Sequence, residues 1–232
     1  MNYQELFDAV QSYSENTFPA FDLSNGSQDT TTEQINRFIQ QAEQRIYNTV
    51  QFPSVRKNVT GPTQANNKYL SCPTDFLAVY SMAAIDASGN YEYLLNKDVN
   101  YIRQAYPNPN SDKGIPKYYA LFGPTVVGST ITNELTFILG PTPDAVYSIE
   151  LHYYYYPESI VTAGTSWLGD NFDTVLLYGT LVEAYTYMKG EQDVMAFYEA
   201  RYKEALALAK RLGDGMERQD AYRSGQYRQP VT

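Results

Sequence analysis

The sequence predicts an α+β protein in which N-terminal helices and a C-terminal helical hairpin flank an inserted, mainly antiparallel β-sheet module, followed by an extended C-terminal tail. Three observations predict it. Apolar residues recur at helical spacing near both ends of the chain; between Val55 and about Pro157 they fall instead into short aromatic or aliphatic runs punctuated by turn residues; and beyond Gly213 neither pattern continues. The corresponding division is a helical domain from residues 1–52 and 165–212, a β-rich domain over 53–164, and an arm over 213–232.

Leu6, Phe7, Val10 and Tyr13 place a first helix near residues 3–14, which Pro19 and Gly26 separate from the next. Thr30 followed by Glu33 is a capping-box pattern. It opens a helix over about 31–50 whose apolar face is Ile35, Phe38, Ile39, Ala42, Ile46 and Tyr47. In the middle segment, Ser88-Gly89-Asn90 reads as a hairpin turn, and Gly128, Asn133 and Pro141 to Pro143 mark further turns. Val99, Ile102 and Tyr106 predict one short helix before Pro107. From Phe172 to Lys189 the chain is apolar nearly all round, so this helix must be covered on most sides, and Gly190 stands at its predicted stop. An amphipathic partner from about Asp193 to Leu212, with Val194, Phe197, Tyr198, Ala205, Leu208 and Leu212 inward, completes an antiparallel hairpin.

Composition narrows the function. The 232 residues suffice for one large core or two small ones, and 23 tyrosines against a single tryptophan indicate half-buried faces where a ring is covered and a hydroxyl stays wet. The net charge is -9, and residues 1–36 carry six acids without a base, as do seven acids between Tyr118 and Met188. Such segments repel phosphate, which argues against gripping nucleic acid. The chain has one cysteine, Cys72, read as a buried thiol, and neither a basic leader nor an apolar run of membrane-spanning length, so the expected site of synthesis is the cytoplasm.

The inventory for chemistry is thin. His152 is the only histidine, so no metal set or Ser/His pair can be assembled around it; no phosphate loop or dinucleotide fingerprint occurs, and no cofactor is implied. The even spacing of Asp144 and Glu150 could put both on one strand face, the one carboxylate pair worth weighing for a glycosidase. Tyr153 to Tyr156 make both faces of one strand aromatic, which predicts that both are covered, one by the core and the other by a helix or a neighbouring subunit; a sugar-binding platform needs only one.

Ordered short motifs over about residues 30–212 resemble the head-to-tail adaptor (connector) family of tailed bacteriophages, which includes tail tubular protein A of short-tailed phages. They are Pro73-Thr74-Asp75-Phe76-Leu77, Gly114-Ile115-Pro116 followed by Tyr118-Tyr119, Pro141-Thr142-Pro143-Asp144, Tyr156-Pro157, Trp167-Leu168, and Leu177-Tyr178-Gly179 with Leu181 and Ala184. The resemblance implies a non-enzymatic virion protein of the neck, assembled from the host cytoplasm as a dodecameric ring. Its implied partners are the portal protein above, a tail nozzle or tube protein below, further copies of itself, and double-stranded DNA passing through without specific binding. It also implies a C-terminal arm against the portal, for which Arg218, Tyr222, Arg223, Tyr227 and Arg228 have suitable chemistry. Asp144, Glu150 and Glu158 are then candidates for an acidic channel wall. The alternative reading is a carbohydrate-binding virion or tail component.

Overall fold

A computed structural model describes residues 1–24, 26–50, 52–123, 125–127, 130–133 and 135–223, with residues 53, 125–127, 130–133 and 214–223 described by backbone alone. In chain order the elements are α1 (Tyr3–Ser14), β1 (Phe21–Asp22), β2 (Gln28–Asp29), α2 (Thr31–Thr49), β3 (Arg56–Pro62), β4 (Tyr69–Ser71), β5 (Ala78–Ile85), β6 (Tyr91–Tyr93) and β7 (Leu95–Asn96). There follow α3 (Val99–Ala105), β8 (Tyr118–Phe122), β9 (Thr125–Val127), β10 (Thr130–Asn133), β11 (Thr136–Gly140), β12 (Ser148–Tyr154), α4 (Ile160–Ala163), α5 (Trp167–Asn171), α6 (Asp173–Met188) and α7 (Gln192–Arg223). They group into two compact units, Met1–Val55 with Tyr156–Thr232, and Arg56–Tyr155. Residues 156–164, with α4 among them, thus cluster with the helical ends.

In the helical unit both early helices begin with a full capping box, Asn2 with Glu5 and Thr30 with Glu33. The hydrogen bonds from Thr30 hold the Glu33 carboxyl below its usual range. The apolar face of α2 is buried as predicted, from Ile35 to Tyr47. Helix α6 is buried along most of its length, and its cover comes from this same chain, because α1, α2, α5 and α7 all pack on it. Gly179 allows the approach of α2 and α7: a Cβ there would lie 3.2 Å from the Tyr202 ring and 3.4 Å from the Ala42 Cβ. An Arg45 to Glu183 ion pair at 3.1 Å joins α2 to α6 at the surface.

Three helical expectations change. The left-handed residue that ends α6 is Lys189, at φ 52°, rather than Gly190; the glycine is needed for space, since a Cβ at 190 would come 2.6 Å from the Tyr185 ring. On α7 the inward residues are Tyr198, Tyr202, Ala205 and Ala209, while Phe197, Leu208 and Leu212 are exposed. Helix α7 also runs on to Arg223, so the tail is not extended from residue 213. Gly213 and Gly215 each cost about 1 kcal/mol relative to alanine, and the strong helix formers Met216, Glu217, Arg218, Gln219 and Ala221 offset that cost.

The β unit is a sandwich. One sheet has the order β3-β12-β5-β6 and is antiparallel throughout; the other has the order β4-β11-β8-β7, with β7 parallel to β8. Alternation explains the packing: Ile149, Leu151 and Tyr153 of β12 and Met82 and Ala84 of β5 face Tyr119, Phe137 and Leu139 of the second sheet, with Phe76 and Leu94 between. On the far side of the second sheet, Ile102 of α3 packs against Ala120 and Ile138. The predicted hairpin turn is built on Asp86, whose Oδ1 accepts from the Ser88 and Asn90 N–H groups at 2.8 and 2.9 Å. Among the described residues, strands β9 and β10, which lie between β8 and β11 in the sequence, pair only with each other.

Candidate functional site

The motifs singled out in the sequence turn out to be packing devices. Asp75 of Pro73-Thr74-Asp75-Phe76-Leu77 accepts from Lys57 Nζ at 2.7 Å and from the Tyr153 hydroxyl at 2.8 Å. The lysine hydrogen bond, helped by the tyrosine, holds the Asp75 carboxyl below its usual range despite some burial. Phe76 stands edge-on to Phe137 at 5.3 Å. Trp167 closes an aromatic cluster with Phe52 and Phe172, at 5.1 and 5.6 Å between centroids. Thr142 and Pro143, from the second proline motif, hold neighbouring loops by accepting the Gly114 and Asn66 N–H groups at 2.9 and 2.8 Å.

The candidate acids do not form a pair. Strand β12 begins at Ser148, so Asp144 lies in the preceding turn and does not share a strand face with Glu150. Asp144 is exposed and accepts from the Tyr147 hydroxyl at 2.6 Å, a bond that pushes that phenol up to about 12. Glu150 lies half-buried on the outer face of β12, where it accepts from Asn58 Nδ2 at 3.1 Å and stands 3.8 Å from His152 Nε2. Its hydrogen bond to Tyr91 raises that phenol. Glu158 is exposed and belongs to the helical unit.

His152 faces solvent beside Glu150, and among the described residues no three His, Cys, Asp or Glu side chains are grouped to hold a metal. Burial pushes the half-buried Cys72 thiol up to about 12, so it is almost wholly protonated and a poor nucleophile at neutral pH. Arg218, Tyr222 and Arg223 occupy the last turns of α7; Tyr227 and Arg228 lie outside the described residues.

Two surfaces were not anticipated. No helix among the described residues covers the outer face of β3-β12-β5-β6: Tyr80, Tyr91 and Tyr93 are exposed, so of the two covers expected for this face, a helix or a neighbouring subunit, the chain itself does not supply the first. Tyr153 alone of that run is fully buried, and Tyr154 is half-buried because the Arg56 guanidinium and the Tyr80 ring lie against it, both under 6 Å from its ring centroid. Tyr91 and Tyr93 at alternate positions of β6, with Tyr80 on β5, were the available signal. The second surface is the exposed seam of Phe197, Leu208 and Leu212 on α7. Its spacing is helical, but helical spacing does not say which of two apolar stripes faces the core.

A sandwich joined to a helical unit, with motifs spent on packing and apolar surface left outside, defines a structural protein that works by contact with other proteins. The sequence model of the family described as "SU10 adaptor protein" matches residues 1–230, and the chain belongs to that family of phage adaptor proteins. It is a component of the phage particle and contacts other head or tail components there. Comparison with individual curated proteins gives no match. Among the described residues no helix is long and apolar enough to cross a membrane.

Proposed function

We propose that the chain forms a ring, dodecameric in the complete neck, under the portal of the filled head and joins the portal to the tail nozzle or tube, leaving a channel for duplex DNA. The observation that carries this reading is the adaptor-family match over residues 1–230, which takes in both units. The role is contact rather than catalysis. Exposed Phe197, Leu208 and Leu212 on α7 support it, because they lie on one helix of 32 residues, about 48 Å long, against which a partner can pack. Arg218, Tyr222 and Arg223, with Tyr227 and Arg228 beyond, then engage the portal through charge-assisted hydrogen bonds and rigid aromatic area.

Co-sedimentation with the portal ring of the same phage tests the reading. The full chain is expected to bind at ring stoichiometry, and a chain ending at Leu212 to lose most of that binding while its circular dichroism falls only by the helical signal of residues 213–223. Equal binding by both would remove the arm from the proposal; no binding by either would remove the adaptor role at the portal and leave the exposed tyrosines of the outer sheet face as a carbohydrate site, which a glycan screen would read.

Asp144, Glu150 and Glu158 are proposed to contribute to an acidic wall along which duplex DNA slides. Replacing all three with lysine changes the charge by six per subunit and creates sites where phosphates are held. The expected result is slower DNA release from particles of normal composition, with the delay shrinking as salt is raised. Unchanged release kinetics would place these acids elsewhere.

A further inference from the structure

Among the described residues, sheet edges are guarded against pairing with other chains by charge or proline, or by shortness as in the two-residue β7, and two longer edges have none of these guards. Strand β3 carries Arg56, Lys57 and Pro62, and β6 carries Glu92. Strand β4, by contrast, is the outer member of its sheet and contains only Tyr69, Leu70 and Ser71. Its register with β11, together with the Leu139 N–H to Lys68 carbonyl bond at 2.8 Å and the Cys72 N–H to Leu135 carbonyl bond at 3.3 Å, turns the backbone of Leu70 toward β11. The backbone groups of Tyr69 and Ser71 therefore point away. Asn67 Oδ1 accepts the Tyr69 N–H at 3.0 Å, but the Ser71 N–H and the two carbonyls have no partner among the described residues. A cleft of about 440 Å³ lies there, lined by Pro62, Gln64, Asn67, Tyr69, Ser71 and Thr136, without a charged side chain.

The second unguarded edge is the hairpin β9–β10. It forms a two-stranded sheet with no third strand among the described residues, and residues 124–133 contain no ionisable side chain. Its sequence is rich in Thr, Val and Ile, which favour strands, yet two strands alone are marginally stable in water. Among the described residues the chain does not complete it from within. Strand β4 ends at Ser71 opposite Thr136, and Pro73 and the turn closed by the Phe76 N–H to Pro73 carbonyl bond carry the backbone off before it reaches the hairpin.

We propose that the hairpin of one subunit adds as a strand to the β4 edge of the next subunit, with its backbone bonded to Ser71 and Tyr69. The occupant is a second copy of this chain because one and the same chain carries both an open strand edge at β4 and an uncompleted hairpin to fill it. At a net charge of -9, copies of the chain repel one another overall, and the cleft and the hairpin, both without a charged side chain, add nothing to that repulsion. The two patches differ, so the contact is head-to-tail and closes into a ring when the rotation allows. The inference rests on the ring reading above and assigns one contact within it.

Cysteine trapping in assembled particles tests it. One full-length version carries Cys72→Ser and Ser71→Cys; the other carries Cys72→Ser and a single cysteine at Thr125, Val126, Val127, Thr130, Ile131 or Thr132. Particles built from both versions are oxidised mildly and run without reductant. The expected result is a disulfide-linked pair of these two versions at alternate positions of one hairpin strand, since side chains of a paired strand alternate in direction. Adding Ser71→Pro to the second version alone, which supplies the hairpin and not the Ser71 edge to the trapped contact, should leave linkage intact. In an otherwise wild-type chain the same change removes only the outward N–H and keeps the β4–β11 bonds, and there it should abolish ring closure with an unchanged melting temperature. Particles that contain the protein but show no linkage, linkage at every position alike, or linkage of the hairpin to a different virion protein would each overturn the inference and leave the ring reading standing. Particles that exclude even the wild-type chain would instead remove the adaptor reading itself.

Discussion

Phe137→Ala is expected to destabilise the β unit by about 3–5 kcal/mol, the range for deleting a fully buried aromatic ring. Phe137 lies on β11 at the centre of the sandwich with no exposed surface, and meets Phe76 and Tyr119 edge-on at 5.3 and 5.9 Å, with interplanar angles of 85° and 86°. Truncation removes both edge-to-face contacts and leaves a cavity between two sheets. These are held apart by other side chains and cannot simply collapse. The measurement is hydrogen exchange at the amides of β8, β11 and β12, because Trp167, the one tryptophan, belongs to the helical unit and its fluorescence reports that unit. Tyr93→Ala serves as the contrast. That ring is 69% exposed, and its loss should change stability by no more than about 0.5 kcal/mol. Equal effects of the two substitutions would mean that the sandwich is not organised around Phe137.

What the sequence disclosed follows from which forces are local. The Thr30–Glu33 capping box, the α2 face and the Ser88-Gly89-Asn90 turn are decided by residues within a few positions of one another, and their bounds were legible to a residue or two. The change from helical to strand period likewise marked where the β unit begins, since alternation and 3.6-residue spacing are properties of the chain alone. The choice of buried stripe on α7 was not local. Tyr198 and Tyr202 pack inward because α6 supplies Gly179, Tyr178 and Tyr185 as their complement, whereas Phe197 and Leu208, equally apolar, stay exposed, with Phe197 meeting Tyr198 and Arg201 of its own helix. The two glycines at 213 and 215 suggested a stop because each is a poor helix residue, but helix ends depend on the summed propensity of the following turn. For the candidate acids the difficulty was register: whether Asp144 shares a strand with Glu150 depends on where β12 starts, and the pairing of Ser148 with Pro62 and Ile85 fixes that across the sheet.

Glu43 should make the stability of the helical unit fall as pH rises through the carboxylate range, opposite to the usual behaviour of a surface acid. Its side chain is 3% exposed on α2, and its Oε1 accepts the Ile160 N–H at 2.9 Å, the first orphan donor of α4. Burial pushes its carboxyl above the usual range, and the hydrogen bonds from Ile160 and Ser159 oppose this without cancelling it. The folded state therefore binds the proton more tightly than the unfolded chain. Stabilisation from the neutral form is complete below the ordinary glutamate value and is lost as pH rises through the raised one. Glu43→Gln keeps an acceptor for Ile160 and never ionises. The difference in unfolding free energy between Glu43→Gln and the wild type should grow in favour of glutamine as pH increases across that window, then level off. Subtracting the two curves isolates Glu43, since Asp75, whose carboxyl is lowered, contributes equally to both. Glu43→Ala, by contrast, leaves the Ile160 N–H unpaired in a dry site and opens a cavity, and should cost about 2–4 kcal/mol at any pH. A pH-independent difference between glutamine and wild type would show that Glu43 keeps its ordinary ionisation in the folded protein, with water reaching the α2–α4 contact.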